Sequence, residues 1–200
     1  MQGQLWIVAA PSGGGKTSLI AETVRVLDNV VESVSHTTRP ARPGEIEGVH
    51  YYFVSPERFQ AMVANDGFLE YAQVFHNAYG TAAAQVDTLL AAGKDVILSI
   101  DWQGAQQVMA RRPDTRTVFL LPPSLDTLRE RLTARGQDNM AVVEKRMAEA
   151  EEQISHYRAF EFVIVNEVAA QELQALILTD RLRRTRREQE LQPLLSRLGQ

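Results

Sequence analysis

The run Ala10-Pro11-Ser12-Gly13-Gly14-Gly15-Lys16-Thr17 constrains this chain more than any other segment. It follows an apolar stretch, Leu5 to Ala9, that reads as a buried strand, and it precedes Ser18-Leu19-Ile20-Ala21-Glu22, which opens a helix. Glycines let a backbone bend where a Cβ would clash, so successive N–H groups turn toward one anion. The helix N-terminus behind them adds unpaired N–H groups and the positive end of its dipole. In such a cradle Lys16 reaches the β- and γ-phosphates of a nucleotide as a point charge, and the Thr17 hydroxyl suits Mg²⁺. The spacing matches G-x-x-x-x-G-K-[ST], with Ala10 in place of the first glycine. A chance glycine cluster at a strand–helix joint is the alternative. The strand before, the helix after and the Lys-Thr pair argue against it.

Composition narrows the rest. Two hundred residues, 44% hydrophobic, with a net charge of -4, suit one ordinary domain able to bury a good core. The absence of cysteine excludes disulfides, thiol catalysis and thiolate zinc sites. The N-terminus shows no basic segment leading into a long apolar run, and no stretch reaches the length of a membrane helix. The expectation is a cytoplasmic protein with no membrane partner. Arginine carries nearly all the positive charge, since the only lysines are Lys16, Lys94 and Lys145. Its planar fork suits bidentate phosphate contacts.

Along the chain, apolar runs alternate with amphipathic stretches. After the glycine-rich turn a helix is expected to about Leu27, then a short strand at Val34–Thr37. Two prolines and a glycine in Thr38-Arg39-Pro40-Ala41-Arg42-Pro43-Gly44-Glu45 break regular structure. Tyr51–Val54 reads as a strand, and Ser55-Pro56-Glu57 as a helix start with cap, proline and early acid. Phe68–Phe75 alternates as a half-exposed strand should. Residues from about 34 to 81 therefore look like a small β insertion. Afterwards come a helix at Ala83–Ala92, a strand at Asp95–Ile100, a helix at Gln103–Arg111 and a strand at Arg116–Leu121. Helices to about Ala134 and over Met140–Ser155 flank a break at Gly136. A strand at Phe162–Val165 and one long helix from Val168 to about Arg187 complete the chain. Apolar strands alternating with helices predict an α/β fold, a mostly parallel sheet covered on both faces.

Several constellations carry chemistry. Arg39 and Arg42, three apart on a proline-stiffened loop, read either as a dianion clamp or as incidental charges on a solvated loop; the flanking prolines favour the clamp. Glu70 is one carboxylate in an apolar segment. By alternation it is an exposed strand residue. Its functional reading needs paired donors, which guanine offers in N1–H and its 2-amino group, whereas adenine does not. Asp101 ends an apolar strand on the side of the phosphate loop, where it either approaches Mg²⁺ and substrate or simply caps the next helix. Arg129, Arg131 and Arg135, with Arg146 past the glycine break, form either a solvated basic face or a lid that closes over a triphosphate. Arg181, Arg183, Arg184, Arg186 and Arg187 crowd the last helix. With Asp180, Glu188 and Glu190 beside them they read as a solvated helix end, without nucleic acid as a partner. The four histidines show no metal-ligand spacing.

Taken together these residues resemble the guanylate kinase family, over Leu5 to about Arg187. The resemblance rests on "APSGGGKTS", "VSHTTRPARPGE", "GVHYYFV", "FLEYAQVFHNAYGT", "DVILSIDWQGAQQV", "FLLPPS", "RLTARGQD" and "EKRMAEAEEQISHY" with "FVIVNE". It implies a P-loop core (about 1–33, 82–124 and 156–200), a GMP-binding insertion (about 34–81) and a helical lid (about 125–155). It implies transfer of a phosphoryl group from ATP to GMP or dGMP with Mg²⁺, and leaves homo-oligomerisation open. By position, Ala10, Pro11, Ser12, Gly13, Gly14, Gly15, Lys16 and Thr17 would bind ATP, with Asn166 near its base. Arg39, Arg42, Tyr51 and Tyr79 would hold the GMP phosphate. Ser35, Glu70, Thr81 and Asp101 would surround guanine. Lys16, Arg39, Arg131, Arg135 and Arg146 would act in catalysis, and Thr17 and Asp101 near the metal. Besides Ala10, two positions depart from the usual pattern: Ala78 replaces an aromatic neighbour of Tyr79, and Ser99 replaces an aspartate near the metal.

Two rival functions fit the same fold. A non-catalytic scaffold binding phosphopeptides would be expected to carry a degraded phosphate loop, and here the loop is intact. A kinase for thymidylate or a ribosyl phosphate would not call for the Ser35, Glu70 and Thr81 set.

Overall fold

Leu5–Ala9 forms β1, five consecutive buried residues. Its period-two alternation sends Leu5, Ile7 and Ala9 into one apolar cluster and Trp6 and Val8 into another. A strand buried on both faces belongs at the centre of a parallel sheet, and that is where β1 lies. The computed structural model describes residues 2–74, 76–134 and 140–196.

The chain continues through α1 (Lys16–Val26), β2 (Val30–Glu32), β3 (His36–Thr37), β4 (Tyr52–Phe53) and α2 (Pro56–Ala64). Next come β5 (Phe68–Val74), β6 (Asn77–Ala82), α3 (Ala83–Ala91), β7 (Asp95–Ile100), α4 (Trp102–Arg111) and β8 (Arg116–Leu121). The last elements are α5 (Leu125–Ala134), α6 (Met140–Ser155), a 3₁₀ turn (His156–Ala159), β9 (Phe162–Val165), α7 (Ala169–Arg181) and α8 (Arg184–Leu195). The main sheet has the order β2-β7-β1-β8-β9, with every pairing parallel. Val86 and Leu90 of α3 and Ala105 and Val108 of α4 cover one face. Leu19 and Ile20 of α1 and Leu173 and Ile177 of α7 cover the other. The expected α/β architecture is therefore present. Among the described residues, no helix is long and apolar enough to cross a membrane.

A second sheet, β4-β3-β6-β5, stands beside the first. Phe59 of α2 stacks on Phe68 of β5 with ring centroids 4.6 Å apart, and with Ala82 they form its core. Ser55 caps α2 by accepting from the Arg58 N–H, and Pro56 fills the first turn, as the sequence predicts. The helix pair α5–α6 has its own apolar core of Leu128, Leu132, Val143, Met147 and Ala150. The expected break at Gly136 lies outside the described residues, as does Phe75.

Three expectations need correction. The strands β2 and β6 are not anticipated by the sequence reading. β6 contains Gly80 and too few large apolar residues for a strand signal. The single long helix from Val168 to Arg187 is two helices, parted at Leu182 and Arg183. The arginines there are not a uniformly solvated end. Arg181 Nε donates to Asp95 Oδ2 at 2.8 Å, and Arg186 donates to both Asp95 and, at 2.9 Å, to Asp180 Oδ2. Arg116 Nε completes the cluster on Asp180 Oδ1 at 3.0 Å. Asp95 and Asp180 are buried, and buried carboxylates require such partners.

Candidate active site

The parallel register aligns Ala9 with Ile100. The turn after β1 and the residue after β7 therefore emerge at the same edge of the sheet, where ligands of open α/β sheets bind. The turn after β1 curls through Gly13 at φ 80° and Gly15 at φ 97° before α1 begins. Within it the Gly14 N–H donates to the Pro11 carbonyl at 2.9 Å. Lys16 Nζ donates to the Ala10 carbonyl at 3.0 Å and so lies folded over the loop. Asn166, just beyond β9, donates from Nδ2 to the Gly14 carbonyl at 2.8 Å. Thr17 is exposed at the first turn of α1.

Arg131 of α5 comes to the same loop. Its Nη1 lies 3.7 Å from where a Cβ on Gly15 would sit, and it is buried with no hydrogen-bond partner. A buried donor left unpaired costs about 1–3 kcal/mol, so an anion in the loop would satisfy it. A cleft of about 420 Å³ is lined by Gly13, Gly15, Ser18, Leu19, Arg131, Ala134 and Asn166. Arg146 stands on α6 beside Met147, and neither this cleft nor the next includes it. Arg135 lies outside the described residues.

A second cluster, with two arginines, is built on the proline-rich loop and the small sheet. Arg39 forms a bidentate pair with Glu45, Nη2 to Oε1 at 2.8 Å and Nη1 to Oε2 at 3.0 Å. Glu45 Oε2 also accepts from the Arg42 N–H at 2.7 Å. One carboxylate thus ties the two arginine positions together, so this exposed loop is held in one shape. The Arg39 guanidinium beside Glu45, followed by the Arg42 N–H, holds that carboxyl down at about 2. Arg39 also sits 5.5 Å over the Tyr51 ring, whose edge meets the Tyr79 ring with centroids 6.0 Å apart. Burial pushes the Tyr51 hydroxyl up, with Tyr79 adding to it.

Glu70 does not follow the alternation expected of its strand. A bulge between Phe68 and Glu70 sets Glu70 opposite Thr81 and turns it inward, leaving it only 6% exposed. The Thr81 hydroxyl donates to Glu70 Oε1 at 2.6 Å. Burial pushes the Glu70 carboxyl up to about 7; Thr81 opposes the shift and Asp101 adds to it. Glu70 Oε2 and Asp101 Oδ1 lie 3.0 and 3.4 Å from the place a Cβ on Gly104 would take, so the two acids flank that glycine. Asp101 Oδ1 accepts from the Gly104 N–H at 2.8 Å, which is the helix-capping role.

The two halves meet. Thr17, behind the glycine loop, shares a cleft of about 330 Å³ with Ser35, Glu45, Tyr51 and Ser99. Among the described residues no group of three or more His, Cys, Asp or Glu is placed to hold a metal. Glu45 and Gln153 are site neighbours not singled out from sequence. Glu45 carried a signal, an acid three residues past Arg42 in a stiff loop. Gln153, whose Oε1 accepts from the Ser12 N–H at 3.1 Å, carried none, because it sits in an ordinary polar helix run.

Comparison with known proteins points to one family. Residues 2–179 match the family described as Guanylate kinase. The chain is 51% identical to a guanylate kinase of Saccharophagus degradans, over 98% of this chain and 97% of that one. It is 47% identical to a guanylate kinase of Escherichia coli strain K12, over 98% of both chains. The crystal structure of guanylate kinase from Anaplasma phagocytophilum superposes with a TM-score of 0.72 at 32% identity, over 92% of this chain and 89% of that one.

Proposed function

We propose how labour is divided within this chain, which belongs to the guanylate kinase family and transfers the γ-phosphoryl group of ATP to GMP, giving ADP and GDP. Residues 10–17, with Asn166 as a brace, seat ATP. Arg39, Arg42, Tyr51 and Tyr79 hold the GMP phosphate, and Ser35, Glu70, Thr81 and Asp101 surround guanine. Arg131, Arg135 and Arg146 neutralise the transferring group. Residues 34–81 serve as the GMP lobe, 125–155 as the lid and the remainder as the core. The observation that carries this reading is the shared cleft, in which Thr17 of the ATP side faces Ser35 and Tyr51 of the GMP side.

The nucleophile is a phosphate oxygen already anionic near neutral pH, so no strong base is needed. What remains is to align two like-charged phosphates in line and to balance the charge on the group in flight. Lys16, the loop amides and Arg131 supply positive potential at the donor; Arg39 and Arg42 supply it at the acceptor. Closure of the α5–α6 pair excludes water and so suppresses transfer to it. Glu70 accepts from guanine N1–H and the 2-amino group at once, and adenine would leave it unpaired.

Mg²⁺ fits as a partner of the bound nucleotide. Thr17 and Ser99 both open into the shared cleft and would contact the ion or its waters, a sparse protein set suited to a cation that takes most of its ligands from phosphate and water. When bound, it offsets charge on the β- and γ-phosphates. Free nucleotides are the substrates, so we assign the cytoplasm as the working compartment.

The test is ADP release from MgATP against GMP, dGMP, AMP and dTMP in parallel, with Lys16→Ala beside the unmodified chain. GMP and dGMP should be used well above AMP and dTMP. Lys16→Ala should lower kcat by about 10²-fold or more, the scale of removing one electrostatic stabiliser, with little change in thermal midpoint. Near-normal turnover by a well-folded Lys16→Ala protein would refute the role of the loop.

A further inference from the structure

The phosphate loop is braced from two directions, and one of them is the lid. Its trailing half belongs to the core, since Asn166 holds the Gly14 carbonyl at 2.8 Å. Its leading half rests on the helix pair. Gly13 packs against α5 so closely that an added Cβ would stand 3.1 and 3.2 Å from Leu132 and Leu128, two members of the lid's own apolar core. Gln153, in the last turn of α6, takes the Ser12 N–H on its Oε1 at 3.1 Å. Three residues on, His156 stacks on Trp102 with ring centroids 3.5 Å apart and an interplanar angle of 12°. Trp102 directly follows Asp101. The base of α6 is thus seated at the ATP loop through Gln153 and at the guanine side through His156.

We propose that Gln153 is a positioning residue for phosphoryl transfer: its side-chain oxygen fixes the Ser12 N–H, and with it the leading half of the phosphate loop, in register with the lid helix. The loop amides serve as preorganised donors only if the turn from Pro11 to Gly13 keeps its shape. Among the described residues, that turn is held by the hydrogen bond within it from the Gly14 N–H to the Pro11 carbonyl and by the one to Gln153. The contact acts through the loop and touches no reacting atom. The consequence is specific: weakening it should disturb the ATP side while the GMP pocket, built mostly on the other sheet, stays as it was.

This inference rests on the reading of residues 10–17 as the ATP seat. The experiment compares Gln153→Leu, which removes the acceptor, with Gln153→Glu, which keeps one. Lys16→Ala serves as the control on the loop itself. Gln153→Leu should lower kcat/KM for ATP about 5- to 10-fold, the effect of one lost hydrogen bond, while KM for GMP and the thermal midpoint hold. Gln153→Glu should recover most of the loss. An unchanged kcat/KM for ATP in Gln153→Leu overturns the proposal. So does an equal loss in both variants, or a loss that follows a fall in thermal midpoint. If Lys16→Ala is also fully active, the reading of the loop as the ATP seat fails; if Lys16→Ala is inactive and Gln153→Leu is normal, only the role of Gln153 fails.

Discussion

Thr81 and Glu70 face each other across the β5–β6 pair, and the Thr81 hydroxyl gives its hydrogen to Glu70 Oε1 at 2.6 Å while both side chains are buried. One hydrogen bond does not compensate a carboxylate for the water it has lost, and burial leaves the group with a pKa of about 7. Below the unfolded value of about 4.5 the group is neutral in both states and costs nothing. As pH rises toward 7 the unfolded chain ionises first, so stability falls, and above 7 the fold carries the full cost. The shift corresponds to roughly 3 kcal/mol. Glu70→Gln should therefore raise stability by up to about that amount at pH 8, and by less than about 1 kcal/mol at pH 5, as read by urea unfolding. The same variant should lose about 1–3 kcal/mol in kcat/KM for GMP, because an acceptor becomes a donor facing a donor. A variant less stable at pH 8 than at pH 5, relative to the unmodified chain, would contradict the assignment.

The same carboxyl sets a pH dependence. On the proposed reading only ionised Glu70 would accept both guanine donors, and kcat/KM reports the free enzyme's titration. With kcat/KM for GMP measured from pH 5.5 to 8.5, values should fall roughly tenfold per unit below about pH 7. The substrate phosphate titrates near 6 and adds a second decline. Glu70→Gln, low throughout, should retain only that second decline. Glu45 will not contribute, because Arg39 keeps it ionised down to about 2. A profile unaltered by Glu70→Gln would remove Glu70 from guanine recognition.

The sequence made the main sheet readable because β1, β7 and β8 are near-continuous apolar runs bounded by glycine, proline or aspartate. It made Ser55 and Pro56 readable as a helix start for the same local reason. It did not reveal that Glu70 is buried. A bulge shifts side-chain direction by one residue, and no periodicity in a seven-residue strand reports where the extra residue falls. Nor did it reveal the fate of Arg181 and Arg186. Their partners Asp95 and Asp180 include one at the start of β7, 86 residues away from Arg181. Long-range charge pairing of that kind leaves no trace in local spacing. Asp101 left both of its readings in view. The structure gives one oxygen to helix capping and sets the residue beside Glu70.

Gly15 offers a test of loop geometry against backbone strain alone. It has φ 97°, and a Cβ there would lie 2.3 Å from Asn166 Nδ2. Gly44 has φ 87°, with nothing within 4 Å of an added Cβ. Alanine at either site carries a similar left-handed penalty of about 1–2 kcal/mol. Only at Gly15 must a side chain also be displaced, the one that braces the loop. Gly15→Ala should therefore cost at least about tenfold more in kcat/KM for ATP than Gly44→Ala, with comparable thermal midpoints. Equal losses would mean that Asn166 contributes nothing to loop shape.

Arg186 tests whether the arginine-rich end of the chain is structural. Its side chain is 9% exposed and bridges Asp95 and Asp180, whose side chains are 2% and 5% exposed. Asp95 opens β7 and Asp101 follows its end, so this cluster lies about 20 Å from Asp101 along the strand. Removing one partner of a buried ion cluster strands the other charges, at about 3–5 kcal/mol. Arg186→Met should lower the thermal midpoint by about 10 °C. Added salt should not restore it, because buried pairs are poorly screened. At 20 °C, kcat and both KM values should match the unmodified chain. Arg25→Met, which breaks the exposed Arg25–Glu22 pair, should leave the midpoint where it was. If Arg186→Met melts normally, the cluster is ornamental and the solvated reading of these arginines is restored. If it melts normally but loses turnover, the end of the chain acts on catalysis rather than on the fold.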